Sequence, residues 1–279
     1  MHSQIPDRKN EILLKTFKVM NNYNAPSLLD ALTELMLTAG REVLDVYASA
    51  DCETVTKVDG SPQTLADRRA EKILIEGLGR LTPDIPIIAE EAYEAGANAV
   101  QDWFWLVDPL DGTREFISRN GQFTVNAGLI YKGQPILGAV YAPALKTLYT
   151  GALGHGAFVR RPNEYRALQC RVHPHDGLTV VGSRSHNDAV AMKRFLVDYC
   201  VKQFVSTGSS LKFCLVAEGS ADLYPRLGRT MEWDTAAGHA VLLAAGGEVL
   251  TLDQQPLGYG KAGYENPHFY ARAMRERAK

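Results

Sequence analysis

Two short apolar runs in the first half of the chain each end directly at carboxylates. Ile85–Ala89 is followed by Glu90 and Glu91, and Trp103–Val107 is followed by Asp108. Apolar runs of this length are typical of buried strands, and a buried strand needs other layers of structure packed on both faces of its sheet. The chain is therefore predicted to fold around a sheet whose strand ends carry acidic side chains.

Length and charge limit the functions and partners that this chain can have. A chain of 279 residues can bury a sizeable core without disulfides or a structural metal. Its net charge of −2 argues against a nucleic-acid polymer as partner and against a polybasic membrane anchor. Between Asp84 and Glu115, however, eight carboxylates face a single base, Arg114, a local sum of −7. This local excess of negative charge indicates that something positive belongs there.

Cysteine usage and hydropathy bear on location. The four cysteines are widely spaced and form no CxxC motif, which favours reduced thiols over a disulfide framework or a zinc site. The first 24 residues lack the apolar core of a secretory signal, and the longest apolar stretch, around 240–247, is too short to span a bilayer. We therefore expect a cytoplasmic protein without a transmembrane segment, and leave open peripheral attachment to the cytoplasmic face of the inner membrane.

The order of patterns predicts two halves after an N-terminal extension at 1–26. Residues 27–160 are predicted to form a metal-binding α+β half with helices near 28–46 and 64–80 and an antiparallel meander over 123–159. Residues 161–279 alternate strands and helices and are predicted to form an α/β half. The elements expected there are strands at 178–182, 203–206, 222–225 and 248–252, and helices starting at 187, 210 and 234.

The segment Asp108–Thr113 carries the strongest chemical signal. A proline and a glycine within it fit a tight turn that aims Asp108 and Asp111 at one point. Two carboxylates about 4 Å apart repel by roughly 4 kcal/mol at an effective dielectric near 20, and an oxygen-ligated cation such as Mg²⁺ removes that cost. The amides of Gly112 and Thr113 would then suit a phosphate. The alternative is an ordinary surface turn.

Each of the other acidic candidates also has a purely structural interpretation. The pair Glu90-Glu91 fits a solvated strand end. Asp67 completes the capping box Thr64-x-x-Asp67 at the start of a helix. Asp234 fits the N-cap of the helix that follows it.

Basic residues in the second half are candidates for anion contacts. Lys212 lies in the first turn of a predicted helix that follows Ser209. A cation there opposes the helix dipole, which an anionic ligand would explain, although a solvated surface lysine is the alternative. Arg226 and His186 are open to the same two interpretations.

Taken in chain order, these motifs resemble those of the inositol monophosphatase-like phosphatases, which depend on Mg²⁺ and are sensitive to lithium. The resemblance runs from about Ser27 to Ala271. The family's motifs match at Glu90-Glu91, Asp108–Thr113 and Trp233-Asp234. Further strings resemble the CysQ-type 3′(2′),5′-bisphosphate nucleotidase branch of the family: Arg119–Asn126, Gly138–Pro143, Ser183–His186, Gly208–Gly219 and Met231–Gly238.

The resemblance implies a layered αβαβα sugar-phosphatase fold, as in inositol monophosphatase and fructose-1,6-bisphosphatase, with the site between the two halves. It implies that Glu90, Asp108 and the carbonyl of Leu110 hold one Mg²⁺. A second Mg²⁺ would lie between Asp108, Asp111 and Asp234, and Glu90 is also available to a third.

The resemblance also assigns roles toward the substrate. Asp67 and Thr113 would be the catalytic residues that orient or deprotonate the attacking water. The substrate-binding set that it implies comprises ten residues: Glu90, Leu110, Asp111, Gly112, Thr113, His186, Ser209, Lys212, Arg226 and Asp234.

The implied reaction is hydrolysis of the 3′-phosphate of adenosine 3′,5′-bisphosphate, or of its 5′-phosphosulfate counterpart, to AMP or adenosine 5′-phosphosulfate and phosphate. It would recycle a by-product of sulfate assimilation, and the partner is a small phosphorylated nucleotide. Two alternatives stay open. One is a phosphatase acting on inositol monophosphate or another sugar monophosphate, and the other is a catalytically silent module that senses metal or nucleotide.

Overall fold

The computed structural model describes residues 25–49, 52–57, 60–94, 101–183 and 189–274, so the extension predicted at 1–26 lies almost wholly outside the described residues. The helices of the described chain are α1 Ala25–Ala48, α2 Leu65–Leu81, α3 Thr113–Ile117, α4 Ala189–Phe195, α5 Leu211–Ala217 and α6 Ala236–Ala244. Its strands are β1 Val55–Thr56, β2 Pro62–Gln63, β3 Ile87–Ala89, β4 Trp103–Asp111, β5 Thr124–Tyr131, β6 Gln134–Ala142, β7 Thr147–Ala152, β8 Gly156–Arg161, β9 Glu164–Leu168, β10 Leu178–Ser183, β11 Val201–Thr207, β12 Leu223–Arg226, β13 Gly247–Thr251 and β14 Phe269–Ala273.

The first large sheet has seven strands in chain order, from β3 to β9. The strands β3 and β4 run parallel, and every later neighbour in the sheet is antiparallel. The predicted meander is thus present. It begins one strand earlier, at β4, and continues through β9 to Leu168, beyond the position 160 at which the sequence placed the division between the halves. The division itself stays a prediction.

The second large sheet has five strands in the order β11-β10-β12-β14-β13. The three strands that follow the α/β alternation, β11, β10 and β12, are parallel, whereas β14 is antiparallel to both of its neighbours. The strand β14 was not predicted. Its sequence Phe-Tyr-Ala-Arg-Ala is largely buried and shows no clear alternation, because a strand in the middle of a covered sheet has no solvent face.

Packing of helices on these sheets gives five layers and confirms the predicted αβαβα fold. The helices α1 and α2 share one core cluster with the seven-stranded sheet that includes the fully buried Trp105. The helices α5 and α6 lie between the two sheets, where Phe213 of α5 stacks on Phe269 of β14. On the far side of the five-stranded sheet, Phe195 of α4 packs against Tyr270 with ring centroids 5.6 Å apart.

A row of three glycines lets α6 lie directly on the seven-stranded sheet. Gly128, Gly138 and Gly151 are register partners on the adjacent strands β5, β6 and β7. A Cβ at Gly138 would come within 2.6 Å of the Ala237 carbonyl oxygen, and one at Gly151 within 2.7 Å of the Val241 Cα. Only glycine permits this approach. The row, called the glycine track below, therefore places the start of α6 over Gly128, which pairs with Leu106 of β4, two residues before Asp108.

Candidate active site

Parallel pairing of β3 with β4 brings the first two candidate carboxylates together. Ala89 pairs with Val107, and the Glu90 N–H donates to the Val107 carbonyl at 3.1 Å. Glu90 and Asp108 therefore follow neighbouring strand positions at the same edge, as expected when apolar runs end at acids. Asp108 is buried, with 1% of its surface exposed.

The segment from Asp108 to Asp111 forms a bulge rather than a separate tight turn. Asp108 pairs with Asn126 and Asp111 with Thr124, so the β4 side holds one residue more than its partner. The strand accordingly continues to Asp111, and the Leu110 N–H donates to Asp108 Oδ1 at 3.0 Å. Such a bulge changes the direction in which side chains point. The predicted tight turn that aims Asp108 and Asp111 at one point is therefore replaced by a bulge within the sheet.

Gly112 follows the bulge and starts α3. Its φ of +91° lies in the left-handed region that favours glycine, and the Phe116 N–H donates to its carbonyl. Gly112 and Thr113 line the cleft described below. Their predicted contact with a phosphate remains a prediction.

Asp234 reaches the same region from the other half of the chain. Its Oδ2 accepts the Met231 N–H at 2.8 Å, and α6 begins at Ala236 with Thr235 as the preceding residue. Asp234 does not cap the helix, so the structural alternative for this residue is wrong. Its carboxylate instead lies in the cleft.

Carboxylates from the two halves form one group. Oxygen atoms of Glu90, Asp108 and Asp234 lie within 4.8 Å of one another, and no other such group occurs among the described residues. Asp111 is not part of this trio, although it lines the same cleft. A convergence of carboxylate oxygens suits a hard divalent cation, so the residues present fit the metal that the family resemblance implies.

Without a bound cation, burial and mutual repulsion disfavour the charged forms of Asp108, Asp234 and the neighbouring Asp111. Burial raises the pKa of Asp108 well above its ordinary value, and the charges of Glu90 and Asp111 raise it further. The pKa of Asp234 is raised by burial and then by Asp111 and Glu90. Burial also raises the pKa of Asp111, while the nearby Lys212 ammonium opposes that shift. All three shifts favour protonation of the carboxylates unless a positive ion binds.

Asp67 divides its carboxylate between two tasks. Its Oδ2 accepts from the Thr64 N–H at 2.7 Å and from the Thr64 hydroxyl at 2.6 Å, which completes the predicted capping box of α2. Its Oδ1 accepts from the Thr113 hydroxyl at 3.5 Å, and this hydroxyl also lies 3.2 Å from the Leu110 carbonyl oxygen. Burial raises the pKa of Asp67 to about 6. The capping interpretation is confirmed, and the geometry required by the catalytic one is also present.

Basic side chains line the cleft as well. Ser209, Lys212 and Arg226 are called the basic wall below, and the carboxylate trio together with Asp111 is called the acidic wall. Ser209, Lys212 and Arg226 all line the cleft of about 230 Å³ that also contains Asp111 and Asp234. The Ser209 hydroxyl and the Arg226 Nε are buried without a hydrogen-bond partner, and buried polar groups normally have one. Lys212 is 4% exposed, and burial lowers its pKa to about 8. His186 lies outside the described residues.

The sequence did not reveal two further charged residues, Lys57 and Glu71, that contact Glu90 or Glu91. Lys57 pairs with both Glu90 and Glu91, at 2.8 and 2.6 Å. Glu71 accepts the Glu91 N–H at 2.8 Å, and burial raises its pKa to about 7. Glu71 lies one helical turn after Asp67 on α2, so the i,i+4 spacing of two acids on a helix was the available signal.

A buried polar network ties the basic wall to the acid-bearing sheet. The Ser210 hydroxyl donates to Asn126 Oδ1 at 2.6 Å and lies 2.9 Å from the Thr124 hydroxyl. Asn126 and Thr124 are the register partners of Asp108 and Asp111. The start of α5 is thereby fixed relative to the bulge.

The sequence of this chain matches a family model over the whole range of the described residues. The model of the inositol monophosphatase family matches residues 25–278. The chain therefore belongs to the inositol monophosphatase family. The strand-end carboxylates and the distant Trp233-Asp234 pair lie within the matched residues.

The individual proteins to which the chain is similar include two named CysQ and one named inositol monophosphatase. The 3′(2′),5′-bisphosphate nucleotidase CysQ of Escherichia coli O157:H7 is 47% identical over 246 residues, which cover 87% of this chain and 98% of that protein. The crystal structure of CysQ from Bacteroides thetaiotaomicron has a TM-score of 0.78 at 37% identity and covers 90% of this chain and 98% of its own. The structure of inositol monophosphatase from Anabaena has a TM-score of 0.68 at 27% identity, covering 89% and 91%.

Hydropathy of the observed helices completes the description. Within the described part of the chain, no helix combines the length and the apolar character needed to cross a bilayer.

Proposed function

We propose that this chain is a Mg²⁺-dependent phosphatase that removes the 3′-phosphate of adenosine 3′,5′-bisphosphate, giving AMP and phosphate, and that it accepts the 5′-phosphosulfate counterpart as well. The observation that carries the proposal is a single cleft with walls of opposite charge. Glu90, Asp111 and Asp234 line it together with Lys212 and Arg226, and the buried Asp108 completes the carboxylate trio with Glu90 and Asp234. Such a cleft suits a substrate with two phosphates. The nucleotidase relatives support the same choice.

The acidic wall is the proposed metal site. Glu90, Asp108 and the Leu110 carbonyl would hold one Mg²⁺, and Asp111 with Asp234 would join Asp108 in holding a second. Glu90 remains available to a third ion. When bound, Mg²⁺ supplies Lewis-acid stabilisation of the charge that develops on the phosphoryl oxygens.

Asp67 and Thr113 are the proposed catalytic pair. Thr113 donates its hydroxyl hydrogen toward Asp67 Oδ1 or the Leu110 carbonyl, so its oxygen can accept a hydrogen bond from a water molecule. Asp67 Oδ1 can accept that water's proton, because a pKa of about 6 keeps most of the carboxylate ionised at neutral pH. Thr64 holds the other oxygen, Oδ2, and thereby fixes the orientation of the carboxylate.

The basic wall is proposed to select the second phosphate. The Ser209 hydroxyl and the Arg226 Nε each lack a partner and line the cleft beside the Lys212 ammonium. The Lys212 ammonium already donates to the backbone carbonyls of Thr207 and Ser209, and its charge would hold an anionic group that satisfies the Ser209 hydroxyl and the Arg226 Nε. His186 is proposed to join them at the second phosphate and the nucleoside. The scissile phosphate would lie against the amides of Gly112 and Thr113 and the metal ions held by the acidic residues of the substrate set.

Two coarser assignments complete the proposal. The half formed by residues 161–279 would contribute Asp234 and the contacts to the second phosphate. All four cysteines are free in the structure, which suits a reducing compartment, and we place the enzyme in the cytoplasm on that ground.

A substrate panel tests the proposal. Phosphate release from adenosine 3′,5′-bisphosphate, its 5′-phosphosulfate counterpart, adenosine 3′-monophosphate and inositol 1-phosphate is measured with Mg²⁺, with Asp108→Asn as the inactive control. We expect the highest kcat/KM with adenosine 3′,5′-bisphosphate and its 5′-phosphosulfate counterpart, the two nucleotides that carry an anionic group at both the 3′ and the 5′ position. A preference for inositol 1-phosphate would assign the chain to sugar monophosphate hydrolysis, and binding of nucleotide without any turnover would favour the sensing module.

A further inference from the structure

The ammonium of Lys57 lies between two carboxylates at the end of β3. Its Nζ is 2.8 Å from Glu90 Oε1 and 2.6 Å from Glu91 Oε1. The backbone of Lys57 is fixed where it leaves β1, since its N–H donates to the Ser61 carbonyl at 2.8 Å and its carbonyl accepts the Gly60 N–H. Local structure therefore holds Lys57 beside the acidic wall.

Glu90 belongs to two groups at once. It is a partner of Lys57, and it is a member of the carboxylate trio with Asp108 and Asp234. A cation held by the trio would repel the Lys57 ammonium across the same carboxylate. The lysine and a divalent ion are therefore competitors for Glu90.

Glu91 offers the ammonium a second position. Its side chain is 7% exposed, and its Oε2 accepts from the Gln63 amide at 2.6 Å. Its backbone N–H is bound by the Glu71 carboxylate. Glu91 is thus held in place independently of Lys57, and the ammonium keeps a charged partner when it leaves Glu90.

We propose that Lys57 is an internal counter-cation of the metal site: it neutralises Glu90 when no divalent ion is bound, passes to Glu91 when an ion binds, and so sets the affinity of the site for that ion. The inference rests on the proposed metal site. A salt bridge that served the hairpin alone would leave ion affinity unchanged.

Isothermal titration of the full chain with Mg²⁺ tests the competition. Removing the competitor in Lys57→Gln should tighten Mg²⁺ binding about three- to fivefold, the upper part of the range expected for one partly exposed ion pair. Lys57→Arg keeps the charge and should bind Mg²⁺ as the wild type does. Lys132→Gln removes a lysine that pairs with Asp102 outside the cleft, and it serves as the matched control.

Glu91 supplies a test of opposite sign. Glu91→Gln leaves the ammonium with Glu90 alone, so Mg²⁺ should bind more weakly than to the wild type. Part of that loss is the missing negative charge, which the double variant Lys57→Gln/Glu91→Gln measures by itself. We expect the loss caused by Glu91→Gln to be at least twofold smaller when Lys57 is absent.

Melting temperature gives a readout independent of titration heats. With chelator present, Lys57→Gln should melt below the wild type, because Lys57 is the only basic partner of Glu90 and Glu91 among the described residues. With Mg²⁺ the difference should shrink. A Mg²⁺ affinity of Lys57→Gln within twofold of the wild type, or weaker, would overturn the inference and leave the metal site standing. A wild type that binds no Mg²⁺ would overturn both.

Discussion

Thr64 donates two hydrogen bonds to the same oxygen of Asp67, one from its backbone N–H and one from its hydroxyl. Both bonds favour the ionised carboxylate and so lower the pKa of Asp67, against the larger effect of burial, which raises it to about 6. A residue that caps a helix thereby also adjusts the proposed base.

Substitution of Thr64 should move the pH profile. In Thr64→Val the hydroxyl donor is lost, so the pKa of Asp67 rises above about 6 and the acid limb of kcat moves to higher pH. Thr64→Ser keeps the donor and should retain the wild-type limb. The profile is measured from pH 5 to 9 at saturating substrate and Mg²⁺. An unchanged limb in Thr64→Val would separate the capping box from catalysis.

Asp67→Asn should leave a folded but slow enzyme. The amide oxygen can still accept from the Thr64 N–H, so α2 keeps one of its caps. Loss of the base should lower kcat by about 10²- to 10⁴-fold, while the affinity for Mg²⁺ changes little. Steady-state kinetics and calorimetry check the two halves of this prediction. A kcat within a few-fold of the wild type would return Asp67 to helix capping alone.

Asp108→Asn should keep or raise the stability of the metal-free protein and abolish its stabilisation by Mg²⁺. Without divalent ions the variant should melt at or above the wild type, because one member of a buried, mutually repelling group is neutral. With Mg²⁺ the wild type should gain about 2.7 kcal/mol at a hundred times the dissociation constant, and the variant should not. Differential scanning fluorimetry measures both. Asp102→Asn, an exposed acid paired with Lys132, is the control and should keep the full response.

Lys212→Met should raise the KM for the bisphosphate nucleotide and leave the KM for the monophosphate nearly unchanged. Loss of a charge-assisted hydrogen bond costs about 1.5–3 kcal/mol, or roughly ten- to a hundredfold in KM, and this is expected for adenosine 3′,5′-bisphosphate. Adenosine 3′-monophosphate lacks the second phosphate, so its KM should change little. Lys193→Met, an exposed lysine on α4, is the control variant. Equal losses on both substrates would contradict the assignment of Lys212 to the second phosphate.

Gly138→Ala should disturb the site from a distance. The new Cβ would lie 2.6 Å from the Ala237 carbonyl oxygen, so α6 must shift and carry Asp234 with it. We expect a loss of about 1–3 kcal/mol in the free energy of unfolding, together with weaker Mg²⁺ binding. Gly79→Ala on α2 meets nothing within 4 Å and should stabilise the helix by up to about 1 kcal/mol. Chemical denaturation and calorimetry compare the two.

The parts of the site that could be predicted are those fixed by local pattern. The strand ends at Glu90 and Asp108 follow from apolar runs that stop at acids, and the Thr64–Asp67 box follows from its spacing. The buried strands before Glu90 and Asp108 and the capping box were confirmed, because strand burial and helix capping depend on neighbours in sequence, whereas β4 does not end at Asp108 but continues to Asp111. The position of Asp234 beside them depended on the family resemblance, since nothing near Trp233 shows which distant strand it meets.

The parts that could not be predicted depend on tertiary contacts. Lys57 precedes an ordinary turn sequence, and only the packing of the hairpin against β3 brings its ammonium to Glu90. The same holds for the bond from Ser210 to Asn126, which joins residues 84 positions apart. The strand β14 was missed because its residues show neither a helical nor an alternating period.

The glycine track also affects how long the folded protein resists unfolding and proteolysis. Because it presses α6 onto β5–β7, the trio spans both the strand ends and the start of that helix, and an ion held by all three carboxylates would act as a cross-link between distant parts of the chain. Its binding energy would then add to the folding energy. The supply of divalent cations in the cell would thereby govern how long each copy resists unfolding and proteolysis, as well as how fast it turns over substrate.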